Sequence, residues 1–92
     1  MFDDPQNEPI YRIYKYELPI TDHPIVKMPH KAEVLKVGFQ DEKLYIWAKV
    51  NINNNLQDHF FRIYGTGHDH DEHKDYIDTV FSKDGLVWHI YK

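Results

Sequence analysis

The sequence predicts an all-β fold, and three observations carry that expectation. Aromatic and β-branched residues gather in short runs that alternate with period two. Prolines, glycines and asparagine or aspartate clusters fall between those runs. No segment sustains an i, i+3, i+4, i+7 apolar stripe, and the only helical option is a single turn within Asp71 to Tyr76. The expected architecture is a small antiparallel sandwich or a partly open barrel of about seven short strands.

Taken in order, Met1 to Pro9 is polar, holds two prolines and reads as a flexible N-terminal tail, so a single all-β domain should span 10–92. Ile10 to Leu18 is the first strand, with Tyr14, Tyr16 and Leu18 on one face and Ile13, Lys15 and Glu17 on the other. Pro19 ends it, and Thr21 to Pro24 is a turn. Ile25 to Met28 is short and closed by Pro29, which suits a sheet edge. Because Pro19, Pro24 and Pro29 break the early strands, the sandwich is favoured over a sheet running round a barrel.

Ala32 to Gln40 and Leu44 to Val50 flank the polar turn Gln40 to Lys43 and make the clearest hairpin. In the second of these, Leu44, Ile46, Ala48 and Val50 oppose Tyr45, Trp47 and Lys49. Asn51 to Asp58 reads as a loop, because clustered asparagines favour turns. His59 to Gly65 is a strand with Phe61 and Ile63 on one face, and Gly65 to Asp75 is a polar loop. Tyr76 to Phe81 and Leu86 to Tyr91 close the chain as a hairpin around Ser82 to Gly85, where Asp84-Gly85 supplies turn chemistry.

Composition narrows the function classes. The 92 residues are 41% hydrophobic and 28% charged, enough for a packed core. Fifteen acidic against eleven basic side chains leave a charge of −4, which argues against a phosphate-backbone binder; no nucleic-acid partner is expected. Cysteine is absent, which excludes disulfides, thiolate zinc sites and cysteine nucleophiles. No apolar run reaches the roughly 18–20 residues of a membrane-spanning helix, so no membrane partner and a cytoplasmic location are expected.

Three groups of residues are candidates for function. The tripeptide Gly65-Thr66-Gly67 lets backbone N–H groups approach an anion, with Arg62, Tyr64 and His68 as neighbours of a nucleotide or anionic metabolite. His68, His70 and His73 carry ring nitrogens and neighbouring carboxylates that could hold a divalent metal without a thiolate, although an extended backbone aligns only the first two. No other cofactor is expected. The third group is the aromatic load, chiefly Tyr11, Tyr14, Tyr45, Trp47 and Trp88. In so short a chain only one face of each sheet can line the core, so some of these rings need a partner. No serine or threonine lies in a nucleophile motif, and the expected role is non-enzymatic.

Five separated blocks also resemble a known family. They are Ile13 to Leu18, Met28-Pro29 with Ala32, Leu44 to Ala48, Phe61 to His68, and Leu86 to His89. Together they resemble a family of small uncharacterised all-β domains found in bacterial and bacteriophage genomes. The resemblance spans Ile10 to the C-terminus. It implies a small soluble domain, often phage-encoded, without established chemistry, and transfers no catalytic residue. The expectation that follows is a binding protein that works as a homo-oligomer or docks on a host protein and inhibits it.

Overall fold

Strands form wherever the sequence alternates. The computed structural model describes residues 8–70 and 75–92, and among these are eight strands and no helix. They are β1 (Tyr11–Glu17), β2 (Ile25–Pro29), β3 (Glu33–Gln40), β4 (Lys43–Asn51), β5 (Leu56–Phe60), β6 (Arg62–Gly65), β7 (Tyr76–Phe81) and β8 (Val87–Tyr91). All pairings are antiparallel and fall in three small sheets, ordered β1-β4-β3, β2-β5 and β6-β8-β7, none closed into a barrel. The all-β expectation holds. Most of the N-terminal tail, and the 71–74 part of the single helical turn, lie outside the described residues.

The single strand expected over His59 to Gly65 is divided at Phe61 between β5 and β6, which belong to different sheets, and one stretch expected as loop is strand. Leu56 to Asp58, expected as loop, is the first part of β5, pairing Pro29 with Leu56 and Lys27 with Asp58. Its polar composition hid it, because four of its five residues stay exposed and only His59 turns inward. Tertiary pairing with β2 overrides local propensity here. Beyond Phe60 the chain runs on: the Phe61 N–H donates to the Pro24 carbonyl (2.9 Å) and the Ile63 N–H to the Asp22 carbonyl (3.3 Å). The run from β5 into β6 thus joins the β2-β5 sheet to the β6-β8-β7 sheet.

Both hairpins carry the backbone their turns need. Asp41 and Glu42 have φ of 52° and 69°, the pair of positive angles of a type I′ turn, whose twist matches the flanking strands. In the β7–β8 turn Gly85 takes φ of 85°, and its N–H donates to the Ser82 carbonyl (3.1 Å). The Ser82 hydroxyl accepts from the Leu86 N–H (3.0 Å), fastening the turn a second time.

The three sheets turn their inner faces to one core. Leu44, Ile46, Ala48 and Val50 of β4 meet Val26 and Met28 of β2, Phe61 and Ile63 of the β5–β6 run, and Val80 and Ile90 of the last hairpin. Each large side chain so buried contributes about 1.5–3 kcal/mol. The body measures 54 × 31 × 15 Å, and its radius of gyration of 15.2 Å exceeds the roughly 12 Å of a compact chain this long. It is a thin slab, so outer faces remain uncovered.

Two polar groups complete the packing. His59 is buried at 4% exposure, with Nε2 facing the carbonyls of Met28 (3.2 Å) and Pro29 (3.0 Å). Nδ1 faces the Lys92 ammonium at 3.0 Å. Those partners assign the proton to Nε2, leaving Nδ1 to accept. Burial lowers the Lys92 pKa. Asp78 bridges β7 to β3, accepting from the Val37 N–H (3.2 Å) and the Lys36 ammonium (2.9 Å) where both strands carry bulges.

Candidate functional site

β6 ends in a turn that uses its glycines. The His68 N–H donates to the Gly65 carbonyl (3.1 Å), and Gly67 at the third turn position has φ of 86°, the angle that requires glycine in a type II turn. The turn folds the His68 ring back so that its Nδ1 accepts from the Gly65 N–H (3.3 Å). A Cβ on Gly65 would lie 2.8 Å from that ring, so any side chain there would displace the exposed His68 from this position. The Gly65 amide, expected to face an anion, is therefore held by His68 itself.

Pairing of β6 with β8 places Tyr64 opposite His89 and Gly65 opposite Trp88. His89 is a residue the sequence reading missed, since nothing local marks it. Its Nε2 lies 2.9 Å from the Thr66 hydroxyl and its Nδ1 3.1 Å from the Thr79 hydroxyl. The Thr79 hydroxyl is in turn 2.8 Å from the Tyr76 hydroxyl. A neutral imidazole has one donor and one acceptor, so it orients both threonines at once. Among the described residues its two ring partners are hydroxyls, with no carboxylate to orient it as in a Ser-His-Asp triad. The arrangement can hold a polar ligand by hydrogen bonds.

Beside this chain of polar groups is a cluster of rings. Tyr64 is buried, with His70 stacked on it at 4.4 Å and 28°. Tyr91 meets both edge-on, at 5.5 Å from Tyr64 and 4.3 Å from His70. The Arg62 guanidinium lies 5.1 Å from the Tyr64 ring centre, and its buried Nε has no hydrogen-bond partner among the described residues. An open cleft of about 250 Å³ is lined by Tyr64 to His68 with His70, His89 and Tyr91. The structure thus gathers Tyr64, Gly65, Thr66, Gly67 and His68 around one cleft and sets Arg62 behind it.

The metal candidates fare differently. His68 faces its own backbone and His70 faces Tyr64, while His73 lies outside the described residues. Among the described residues no three histidine or carboxylate groups converge where they could hold an ion.

The aromatic candidates divide between faces. Tyr11 on β1 and Tyr45 and Trp47 on β4 share the outer face of the β1-β4-β3 sheet, together with Ile13, which is 62% exposed. Tyr45 and Trp47 are half-buried neighbours, 6.1 Å apart and tilted by 58°. Trp47 lies against Gly38, where a Cβ would sit 3.8 Å from its ring. Tyr14 pairs with Ala48 and so projects from the opposite face. Trp88 is partly buried against the core and lines a separate cleft of about 470 Å³ with Ile20, Phe39 and Leu86. Three of the five therefore form one surface, to which the structure adds Ile13.

No helix among the described residues is long and apolar enough to cross a membrane. A family model described as a domain of unknown function, DUF7352, matches residues 10–92. Comparisons with curated proteins and with solved structures give no significant match.

Proposed function

Because the chain belongs to the DUF7352 family of domains of unknown function, we propose its role from geometry: it is a small non-enzymatic protein that acts by association. It works as an oligomer or by docking on a host protein, in keeping with a phage-encoded inhibitor acting in the host cytoplasm. The observation that carries this reading is the outer face of the β1-β4-β3 sheet. There Tyr11 and Ile13 are 60% and 62% exposed beside Tyr45 and Trp47, next to a strand, β1, that buries none of its residues fully. Tyrosine and tryptophan on an uncovered sheet are the usual anchors of protein interfaces. The test compares wild type with Tyr45→Asp combined with Trp47→Asp, by sedimentation and by affinity capture from a bacterial lysate. Wild type should self-associate or retain a partner that the variant loses. No association by either measure sinks the reading.

A second reading rests on Thr66, His89 and Thr79. Their hydrogen-bonded chain beside the Gly65–His68 turn supports a small polar ligand, an anionic metabolite or nucleotide. Native mass spectrometry of untagged protein tests it. A mass excess lost on denaturation, and absent in His89→Ala, supports the ligand; a bare chain removes it.

A further inference from the structure

We propose that β1 is the seam of a homodimer, pairing antiparallel with β1 of a second copy and with Tyr14 on the two-fold axis. The inference rests on the association reading above and names its partner. Backbone direction is the first argument. The Ile10 carbonyl accepts from the Ile52 N–H and the Leu18 N–H donates to the Leu44 carbonyl, both at 2.9 Å. Antiparallel alternation then turns the amides of the even-numbered residues to β4. Those of Tyr11, Ile13, Lys15 and Glu17 face outward, with no strand beside them among the described residues.

Three of the other sheet margins are blunted. β3 and β7 face each other across their bulges and the Asp78 bridge, and β2 is a five-residue strand that ends on Pro29, which has no N–H. β1 has seven residues, no proline and no bulge in its ladder. A strand with three tyrosines and one isoleucine, and an edge that neither proline nor bulge interrupts, suits strand addition.

Self-complementarity selects a second copy and one register. With Tyr14 opposite its own image, Tyr11 faces Glu17 and Ile13 faces Lys15, twice over, so every outward amide of both strands is paired. Same-face residues meet, and the outer faces join into one six-stranded sheet. No like charges are opposed. The Lys15 ammonium leans away toward Gln40 (2.8 Å) and the Tyr45 ring (4.4 Å). The Lys49 ammonium, 4.8 Å from the Tyr11 ring centre, brings a positive charge beside the Glu17 of the other copy. Sliding by one pleat in one direction sets Lys15 against Lys15; in the other it sets Glu17 against Pro9, which cannot donate. Like charges directly opposed destabilise a sheet.

The experiment uses the full chain, which has no native cysteine. Sedimentation should show a dimer for wild type and a folded monomer for Ile13→Pro, whose lost N–H belongs to the open edge. Should that variant not fold, Ile13→Lys sets like charges opposite each other and should raise the dissociation constant about tenfold or more. Adding Lys15→Glu should recover it. Tyr14→Cys should oxidise to a covalent dimer, and Ile13→Cys should not. A wild-type monomer at the highest concentration reached overturns the proposal, as does crosslinking at position 13 in place of 14. A monomer whose captured host partner is lost with Tyr45→Asp and Trp47→Asp overturns self-pairing and leaves the association reading standing; a monomer that captures nothing removes both.

Discussion

The Asp78 carboxylate accepts a hydrogen bond from the Val37 N–H at 3.2 Å, joining two strands that share no ladder. The same oxygen takes the Lys36 ammonium at 2.9 Å, and the other oxygen takes the Thr79 N–H at 2.9 Å. One half-buried side chain thus ties the β1-β4-β3 sheet to the β6-β8-β7 sheet.

Removing it should cost more than an exposed ion pair would. Asp78→Ala leaves the Val37 amide without its acceptor, and urea unfolding should show a loss of about 1–3 kcal/mol. Asp78→Asn keeps an acceptor and should lose less. An unchanged midpoint for the alanine variant would show that the bridge does not hold the sheets.

Acid should reveal the same contact. Burial pushes the Asp78 carboxyl up, but hydrogen bonds from Lys36, Val37 and Thr79, and the charge of Lys36, outweigh it and hold the pKa below the ordinary 3.8. A depressed native pKa gives stability that is complete above the unfolded value and is lost as pH falls through the native one. Melting of wild type should drop in that acid window, and Asp78→Asn should flatten the drop.

His59→Ala should be among the costlier polar changes, by about 2–4 kcal/mol, because it empties a buried volume and strips the ring donor from Met28 and Pro29. His59→Gln can still donate and should recover part of the loss. Thermal melting of the two variants is the check.

The turns offer opposite expectations. Glu42 has φ of 69° without being glycine, so Glu42→Gly should raise stability by about 0.5–1 kcal/mol, the exposed contact to Lys83 adding little. Gly85→Ala, at φ of 85°, should lower it by about 1 kcal/mol. If both shift melting in the same direction, the backbone argument fails.

Adjacent residues on β4 should separate stability from association. Ile46 is fully buried, and Ile46→Ala should cost about 2–5 kcal/mol. Trp47→Ser, on the outer face, should leave a cooperative transition and weaken association instead.

The sequence made most strands legible, because β4 alternates cleanly, β3, β7 and β8 are dense in aromatic and β-branched residues, and their turns carry Asp41-Glu42 and Asp84-Gly85. Leu56 to Asp58 was illegible for a physical reason. Its strand is an edge that buries one residue, and what fixes it is β2, distant in the chain. The same applies at the site. Thr66 was visible as part of a glycine turn, while its partner His89 stands 23 residues away and meets it only through β6–β8 pairing. Asp78 and His59 gave no local signal either, since a lone acid or imidazole in a strand reads as a solvated position. Ile13 was assigned to the face opposite Tyr14, where it stands, but its place beside Trp47 depended on the β1–β4 register.

The run from β5 through Phe61 into β6 has a kinetic consequence. Two hairpins, β3–β4 and β7–β8, close over short loops and should form within microseconds. The joining run must instead find β2 on one side and β8 on the other, and its buried His59 bonds to a carbonyl 31 residues away. Closing such long loops precedes any gain from the contacts they bring. Refolding should therefore be paced by this single segment, in milliseconds to seconds, with both hairpins waiting on it.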